Sequence, residues 1–474
     1  MRRAADRAAS RFFEPGRPAV AARAPARLDV MGGIADYSGA TVLEFPLARS
    51  AHVIAQATDD ELFGARTDRS APSDPTGPPH RPFAEALLPA SVVRAGEEAT
   101  APERLRAALD ASGAGWAAYL LGPLALLHTA GALPACGGVR LSVRSDVPMG
   151  AGVSSSAALE VATLRALAAL WNLDLDPLGL ALLAQQAEHR VAGAPCGIMD
   201  QVAATLGQAD HLLMLRCQET AGRPAAGLGQ RRLPPDVRVV GLDSGVAHRV
   251  AGAQYGRVRT AAFMGRSIIA AHDPGEPAGG YLCNLAPARF RARYTPLLPE
   301  EVRGAAFLAR YGETGDDATR VEPDTTYRVR DCATHPVLEQ ANVAAFLDAL
   351  DGYERDGDPA ALVEAGAAMY RSHESYGARC GLGAPETDLI VDLVREWGPA
   401  RGLYGAKITG GGAGGTVAIL GAGPAMEDAV EGVRAAYARR SGCRATVFAG
   451  SSDGAWASPI RQAVVDANGG VHDR

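Results

Sequence analysis

The sequence predicts an α+β protein with two lobes. Apolar residues alternate over residues 139–143, which is typical of a half-buried strand, and a helical pattern follows over residues 156–171. A second strand pattern, at residues 237–242, comes soon after Pro234 and Pro235, which interrupt regular structure. A chain of 474 residues is long enough for two or three domains with substantial cores. Helices and strands on both sides of the proline pair therefore favour two α+β lobes.

The proline pair divides the chain into an N-terminal lobe, residues 1–235, and a C-terminal lobe, residues 236–474. The remaining predicted elements are, in chain order, a lead-in helix around Phe12 and Phe13 that ends near Arg17, a strand at 42–45, an exposed loop at 66–82, a helix at 177–190, a loop at 273–280, helices at 336–350 and 359–376, and strands near Ala406 and Thr416.

Composition and charge exclude several classes of function. A net charge of −6 without a basic stripe argues against a nucleic-acid partner. The 7 cysteines form no Cys-x-x-Cys pair and the 10 histidines show no zinc spacing, which indicates reduced thiols and no zinc site. The amino terminus carries arginines but no apolar run before a cleavage site, so we expect a cytoplasmic protein without a signal peptide.

One stretch without charged side chains, between Asp110 and Arg140, invites a membrane-spanning interpretation. Gly122, Pro123 and Pro134 interrupt it, so it is better interpreted as a buried helix that runs into a turn. We therefore expect no membrane partner.

A loop rich in small residues, at positions 148–160, places three consecutive serines where a helical pattern begins. Its glycines allow close approach of the backbone to a ligand. Its serines can cap the helix, whose first turn presents unpaired N–H groups and a positive dipole end. These features predict a cradle for nucleotide phosphates with a hydroxyl available to Mg²⁺, the plain alternative being an ordinary capped loop. The residues of the predicted cradle are Gly150, Gly152, Ser154, Ser155 and Ser156.

A second glycine-rich loop contains Gly-x-Gly-x-x-Gly at residues 410–415. A dinucleotide-binding turn would lead from a strand into a helix, but the strand-like run 416–420 follows here. Protein kinases have strand–loop–strand at this motif, yet no His-Arg-Asp or Asp-Phe-Gly follows. Lys407, just before the loop, is the only lysine of the chain, which indicates either a site where arginine cannot serve or a neutral survivor.

Three segments, in this order, resemble the motifs of the GHMP small-molecule kinases: residues 24–37, 148–160 and 406–415. The middle segment is not a Walker A loop, because no Gly-Lys-Ser/Thr follows its glycines. The resemblance implies a two-lobed GHMP kinase fold with a mixed sheet in the N-terminal lobe, an antiparallel sheet in the C-terminal lobe, and ATP and Mg²⁺ bound between them. It assigns to the third motif a glycine loop made of Gly410, Gly411, Gly412 and Gly414.

Residues 188–201 resemble the signature of galactokinase-type sugar kinases, including its Gly-Ile-Met-Asp-Gln core. The resemblance implies that Asp200 is the catalytic residue facing the anomeric hydroxyl, and that Arg27 pairs with it and with the transferred phosphate. It also implies Mg²⁺ ligands at Ser156 and Glu188, both hard oxygen donors. A guanidinium keeps an adjacent carboxylate ionised and stabilises a moving phosphoryl group. Without these motifs, each charged residue would be interpreted as a surface charge or a helix cap.

The first motif departs from the galactokinase pattern Gly-Glu-His-Thr-Asp-Tyr, since residues 32–37 are Gly-Gly-Ile-Ala-Asp-Tyr. Asp36, which in the family binds ring hydroxyls, is retained. The glutamate that receives the C6 hydroxyl is replaced by Gly33, and the histidine by Ile34. Losing that hydrogen bond would cost galactose roughly 1–3 kcal/mol, which predicts a sugar without C6, L-arabinopyranose. The resemblance to galactokinases also implies that Tyr255 packs near the sugar, with a purely structural role as the alternative.

Nearly the whole chain resembles the kinase portion of plant L-arabinokinases, including segments 31–39, 283–287, 380–383 and 404–412. We therefore predict ATP-dependent phosphorylation of the C1 hydroxyl of L-arabinose, with the sugar and ATP as small-molecule partners. The alternatives are a galactokinase or another sugar-1-kinase, and a non-catalytic sensor of sugar and nucleotide. The full set of catalytic groups implied by the resemblance favours an enzyme.

Overall fold

The computed structural model describes residues 12–68, 83–219, 228–246, 251–466 and 471–473. The strands are β1 (Pro18–Met31), β2 (Thr41–Thr58), β3 (Leu62–Asp68), β4 (Phe83–Pro89), β5 (Gly138–Ser145), β6 (His211–Arg216), β7 (Leu228–Arg232), β8 (Val237–Asp243), β9 (Val302–Arg303), β10 (Thr326–Tyr327), β11 (Leu403–Ile408), β12 (Thr416–Ala422), β13 (Thr446–Phe448), β14 (Arg461–Val465) and β15 (Val471–Asp473). The α-helices are α1 (Ser91–Arg94), α2 (Ala101–Ser112), α3 (Ala118–Thr129), α4 (Ser155–Trp171), α5 (Pro177–Ala187), α6 (Met199–Leu206), α7 (Ala251–His272), α8 (Pro287–Arg289), α9 (Gly304–Tyr311), α10 (Val329–Asp356), α11 (Pro359–Ala378), α12 (Pro385–Trp397) and α13 (Met426–Ser441).

Nine strands form the larger sheet, in the order β15-β14-β1-β2-β5-β3-β4, with β6 paired to β2 and β7 paired to β6. Its pairs are antiparallel except for β3 and β5, which run parallel. The ladder between β1 and β2 shifts register between Pro25 and Arg27 and again between Asp29 and Met31. Such irregularities re-aim side chains locally. The predicted mixed sheet of the first lobe is confirmed.

A second sheet of four strands has the order β11-β12-β8-β13, and all its pairs are antiparallel, as predicted for the second lobe. β11 and β12 form a hairpin around the glycine loop at 409–415. The loop therefore joins strand to strand, and the dinucleotide-binding alternative is excluded.

The chain passes from the first sheet to the second between Arg232 and Val237, close to the predicted boundary. It later returns, because β14 pairs with β1 from Pro18 opposite Val464 to Ala21 opposite Arg461. The last strands of the predicted C-terminal lobe thus complete the edge of the N-terminal sheet. The division at residue 235 stays a prediction for the rest of the chain.

The two sheets share a core. One continuous cluster of fully buried side chains includes Leu28 and Met31 of β1, Leu420 of β12, Phe346 of α10 and Met369 of α11. Because β1 carries the first motif and β11–β12 the third, this packing holds the two motifs against each other.

One predicted element is wrong in the described ranges, and the first residues of a second are wrong. Residues 12–17 form bends and a turn instead of a helix, because Phe12 and Phe13 pack on the edge formed by Ala463 and Val465. The predicted loop at 66–82 begins as strand, since β3 extends to Asp68, and residues 69–82 lie outside the described residues. In the ranges described, every helix is too short or too polar to cross a bilayer.

Candidate active site

Arg27 and Asp200 meet although they are 173 residues apart in the sequence. β1 carries the arginine and the first turn of α6 carries the aspartate. The guanidinium donates from Nε and Nη2 to Oδ1 of Asp200, at 2.9 and 2.6 Å. The Arg27 side chain is 3% exposed and the Asp200 side chain 18%, so the carboxylate is the more accessible partner. This pair combines a group that can accept a proton with a fixed positive charge behind it.

Two further buried carboxylates surround this pair. Glu44 lies 3.1 Å from Nε of Arg27, and Asp29 accepts a 2.7 Å hydrogen bond from Nζ of Lys407. Burial alone would lower the pKa of Arg27, but the charges of Asp200 and Glu44 outweigh it and raise that pKa. Burial and the charge of Asp29 raise the pKa of Glu44 well above its ordinary range. The site therefore keeps its guanidinium charged.

The serine loop, residues 148–156, has positive φ angles of 74°, 73° and 65° at Gly150, Gly152 and Ser154. Ser154 is the N-cap of α4, but its side chain caps nothing and its buried Oγ has no hydrogen-bond partner in the described part of the chain. The predicted serine cap is therefore wrong, because side-chain capping needs an extended backbone at this position. The hydroxyl is instead free to bind a ligand.

Carbonyl oxygens of the serine loop bind back to the protein. Gly152 O accepts a 2.8 Å hydrogen bond from Nη1 of Arg27, and Ala151 O accepts one of 2.7 Å from Oγ1 of Thr416. Positive φ at alternate residues is typical of turns whose N–H groups form an anion-binding nest, and the first N–H groups of α4 have no intrahelical acceptor. The loop thus has the features of the predicted phosphate cradle.

The glycine loop packs backbone to backbone on the serine loop. A Cβ atom on Gly410, where φ is +64°, would lie 2.7 Å from Gly152 O, and one on Gly415 would lie 2.7 Å from Ala151 O. A Cβ on Gly412 would lie 2.7 Å from Leu382 O. Glycine is therefore required here by close approach as well as by φ.

Asp36 is 3% exposed and belongs to a 3₁₀ turn, Gly33–Ser38. Its Oδ1 accepts a 2.6 Å hydrogen bond from the N–H of Tyr37, whereas its Oδ2 has no partner among the described residues. A Cβ on Gly197 would lie 1.4 Å from Oδ2, so only glycine lets the loop before Asp200 pass this carboxyl group. Burial raises the pKa of Asp36 to about 7, opposed by the charge of Arg259. An unpartnered buried oxygen is a place for a ligand hydroxyl.

Arg259 links the surroundings of Asp36 to a second loop. It donates from Nε and Nη2 to the two oxygens of Asp316, at 2.8 and 2.6 Å, and this ion pair is almost fully buried. Its guanidinium carbon lies 5.8 Å from the ring centroid of Tyr37. Tyr255, predicted to pack near the sugar, is half-buried and packs edge-on to Tyr37 at 5.9 Å.

Two buried acids fit the predicted Mg²⁺ site. Glu188 accepts a 2.7 Å hydrogen bond from Nε2 of Gln201, the neighbour of Asp200, while both oxygens of Glu160 are buried without a partner in the described ranges. Burial and the charge of Asp200 raise the pKa of Glu188 to about 7, against hydrogen bonding from Ser156. Among the described residues, no group of three or more His, Cys, Asp or Glu side chains could hold a metal. Phosphate and water would have to complete the coordination shell, as is usual for Mg²⁺.

Gly33 lies against Tyr376 of α11. A Cβ on Gly33, where φ is +45°, would lie 1.8 Å from the phenol oxygen of Tyr376 and 2.7 Å from Oδ2 of Asp29. The tyrosine is fully buried; its oxygen accepts a 2.9 Å hydrogen bond from the N–H of Ile34 and donates one of 3.1 Å to Gly410 O. The volume that a side chain at residue 33 would need is therefore occupied.

The structure thus brings the predicted residues of the three motifs and of the 188–201 segment into one region. Sequence reasoning missed several buried polar residues beside them. Asp29 and Glu44 carried an available signal, since each is an acid within an apolar strand pattern. The other missed residues, whose roles depend on long-range contacts, are Glu160, Arg259, Asp316 and Tyr376.

Comparison with known proteins places the chain in a family. Residues 118–208 match the family described as GHMP kinases N terminal domain. The chain is 32% identical over 425 residues to a galactokinase of Chloroflexus aggregans, an alignment that covers 90% of each protein. The chain therefore belongs to the GHMP kinase family. Within it, the chain groups with sugar kinases of the galactokinase and L-arabinokinase type.

A longer relative is similar over the same region. The L-arabinokinase of Arabidopsis thaliana is 36% identical over 484 residues, covering 92% of this chain but 46% of that protein. The chain thus spans less than half the length of this relative.

Solved structures agree on the fold. The crystal structure of Lactococcus lactis galactokinase complexed with galactose aligns with a TM-score of 0.70 at 20% identity, over 92% of this chain and 94% of that one. A mevalonate kinase crystal structure aligns with a TM-score of 0.53 at 13% identity, over 91% of this chain and 99% of that one. The predicted GHMP kinase fold is confirmed.

Proposed function

We propose that this chain is an ATP-dependent sugar-1-kinase that converts L-arabinose to L-arabinose 1-phosphate. The observation that carries the proposal is the pairing of Arg27 with Asp200 beside Oδ2 of Asp36, which has no partner in the part of the chain that the structure describes. The three groups can orient one sugar hydroxyl for transfer while they bind others on the same ring.

Asp200 accepts the proton of the C1 hydroxyl in this mechanism. Arg27 holds Oδ1 of Asp200, so Oδ2 is the oxygen that faces the sugar. The C1 oxygen forms the new bond to the γ-phosphorus of ATP as the bond to the leaving ADP oxygen breaks. Because the transition state of phosphoryl transfer is loose, orientation and the fixed charge of Arg27 provide much of the rate.

The N–H groups of residues 150–156 bind the phosphates of ATP. Ser156 and Glu188 would hold Mg²⁺, with Glu160 as a buried acid beside them. The ion would supply positive charge to offset that of the nucleotide phosphates. Glu188 would bind it in the ionised form, since a cation offsets the burial that raises the pKa of Glu188.

Two observations favour L-arabinose over D-galactose. The sequence has no side chain at residue 33, and in the structure Tyr376 occupies the volume beside it. The relative in Arabidopsis thaliana named L-arabinokinase is similar over 92% of this chain. Galactose kinase activity is the second candidate, favoured by the galactokinase of Chloroflexus aggregans, which aligns over nearly its full length.

Three sugars that differ only in the group at C5 test the substrate. L-Arabinose carries hydrogen there, D-fucose a methyl and D-galactose a hydroxymethyl group. We expect kcat/KM with Mg·ATP to be at least about tenfold higher for L-arabinose than for the other two. The hydroxyl of the D-galactose hydroxymethyl group would lack its hydrogen bond, which costs roughly 1–3 kcal/mol, and the methyl group of D-fucose would be rejected by steric contact. Phosphorus NMR identifies the product as the 1-phosphate. A preference for D-galactose would contradict the substrate assignment, and no turnover of any sugar would favour a sensor.

The variant Asp200→Asn tests the catalytic role. We expect it to lower kcat at least about 10²-fold while the Kd for L-arabinose, measured by calorimetry, changes only a few-fold, because the amide cannot take the proton but keeps the shape. Asp174→Asn, at an exposed position, is the matched control and should behave as wild type. Loss of sugar binding together with turnover would contradict the role of Asp200.

A further inference from the structure

Tyr376 connects three parts of the site that are far apart in the sequence. Its oxygen accepts a hydrogen bond from Ile34 of the turn Gly33–Ser38, here called the sugar loop, and donates one to Gly410 of the glycine loop, at 2.9 and 3.1 Å. Nζ of Lys407, which pairs with Asp29, lies 5.1 Å from the centroid of its ring. The tyrosine is therefore a common support for the first and third motifs.

The helix that carries Tyr376 cannot easily shift away. A Cβ on Gly366 of α11 would lie 1.8 Å from Tyr404 O, so the helix lies directly on the backbone of β11. His335 packs edge-on to the ring at 5.3 Å. Because helix and ring are both fixed, the position of the phenol oxygen is fixed as well.

That position excludes any side chain at residue 33. Real Cβ atoms essentially never approach another heavy atom within 3.0 Å, and a Cβ on Gly33 would lie 1.8 Å from the phenol oxygen. The same oxygen bonds the next residue, so the tyrosine both fills this volume and fixes the turn that carries Asp36.

Tyr376 and Gly33, we infer, act as one specificity determinant, in which the tyrosine is the positioning residue that shapes the sugar loop around a pentopyranose. The inference rests on the proposed function. It adds that Gly33 does not set the specificity alone. A side chain returned to residue 33 will not by itself admit a sugar with a group on C5, because it displaces the loop.

A double-mutant cycle of Gly33→Ala and Tyr376→Phe tests the coupling, with binding of L-arabinose, D-fucose and D-galactose measured by calorimetry and KM for ATP measured separately. Tyr376→Phe leaves a buried N–H and a buried carbonyl unpaired, so we expect KM for L-arabinose to rise at least about fivefold while KM for ATP stays within about twofold. Its selectivity for L-arabinose over D-fucose should fall. Gly33→Ala should weaken L-arabinose binding by about tenfold or more. The variant that carries both substitutions should bind L-arabinose more tightly than the sum of the two single losses of binding free energy predicts.

Gly423→Ala is the matched control, since Gly423 also has positive φ, +78°, but a Cβ there meets nothing within 4 Å. Combined with Tyr376→Phe, it should show additive effects. Additive effects of Gly33→Ala and Tyr376→Phe on L-arabinose binding would overturn the inference. Equal changes in KM for L-arabinose and KM for ATP would also overturn it. If Tyr376→Phe does not fold, Gly33→Ala is compared with Gly423→Ala: loss of sugar binding in Gly33→Ala only, with ATP binding kept, supports the inference, and sugar binding kept in both overturns it. Wild type that fails to prefer L-arabinose would instead overturn the proposed function.

Discussion

At the scale of single residues, the pKa of the Asp36 carboxyl group depends strongly on its surroundings. Burial raises its pKa to about 7, so it is protonated below pH 7 and ionised above it. In the proposed function, the ionised form is the one that would accept hydrogen bonds from two sugar hydroxyls. Sugar recognition should therefore improve as pH rises through this value.

We expect kcat/KM for L-arabinose to fall about tenfold per pH unit below pH 7 and to level off above it, because kcat/KM reports ionisations of the free enzyme. Asp36→Asn should be less active at high pH and show a flatter profile between pH 6 and 8. The pKa of Glu188 is also raised to about 7, so the profile is measured at one subsaturating and one saturating concentration of Mg²⁺. A pH profile that shifts with the Mg²⁺ concentration, or that is unchanged in Asp36→Asn, would assign the ionisation to Glu188 instead.

At the scale of elements, the segments on either side of β12 need glycine for two separate reasons, a positive φ angle and close approach of another backbone. Gly410 and Gly423 both have positive φ, +64° and +78°, but only at Gly410 would a Cβ meet backbone, 2.7 Å from Gly152 O. Gly423→Ala should cost about 1 kcal/mol of unfolding free energy for the backbone conformation alone.

Gly410→Ala should cost about 2–4 kcal/mol, as strain from the contact adds to the φ term. It should also lower kcat, since the added Cβ would lie 3.3 Å from Nη2 of Arg27. Urea unfolding and steady-state kinetics measure the two effects. Equal destabilisation by Gly410→Ala and Gly423→Ala would show that the glycine loop and the serine loop can move apart without loss of unfolding free energy.

Elements differ in how far sequence patterns predicted them. Strands 139–143 and 237–242 and helices 156–171 and 359–376 are close to the observed bounds, because each has a continuous apolar period. α10 begins at Val329 instead of Pro336, since buried Val329, Cys332 and Ala333 pack on the core and extend the helix through the proline. There, tertiary packing outweighs the local sequence preference that placed the start of the helix at Pro336.

On the scale of the whole molecule, β14 and β15 complete one edge of the nine-stranded sheet. β14 lies beside β1, and Val465, 1% exposed, packs with Phe12 and Phe13. Ending the chain after Ile460 should therefore lower the unfolding free energy by about 2–4 kcal/mol, through lost apolar burial and an exposed strand edge. Thermal unfolding measures this loss. Ending it after Asp466, which keeps β14, is the control and should cost less; equal losses would place the stabilisation in β15.

The sequence by itself determined the strand and helix patterns, the order of the three motifs and the residue types that the chemistry needs, and the resemblance carried by those motifs implied the family and the two kinds of sheet. Those features are local, since each depends on a few neighbouring residues and their period. The tertiary structure alone decided which buried groups meet: Asp29 with Lys407, Arg259 with Asp316, and Tyr376 with Gly33, 343 positions before it. It also decided the raised pKa values of Asp36 and Glu188, because desolvation depends on everything packed around a carboxyl group and not on its neighbours in the chain.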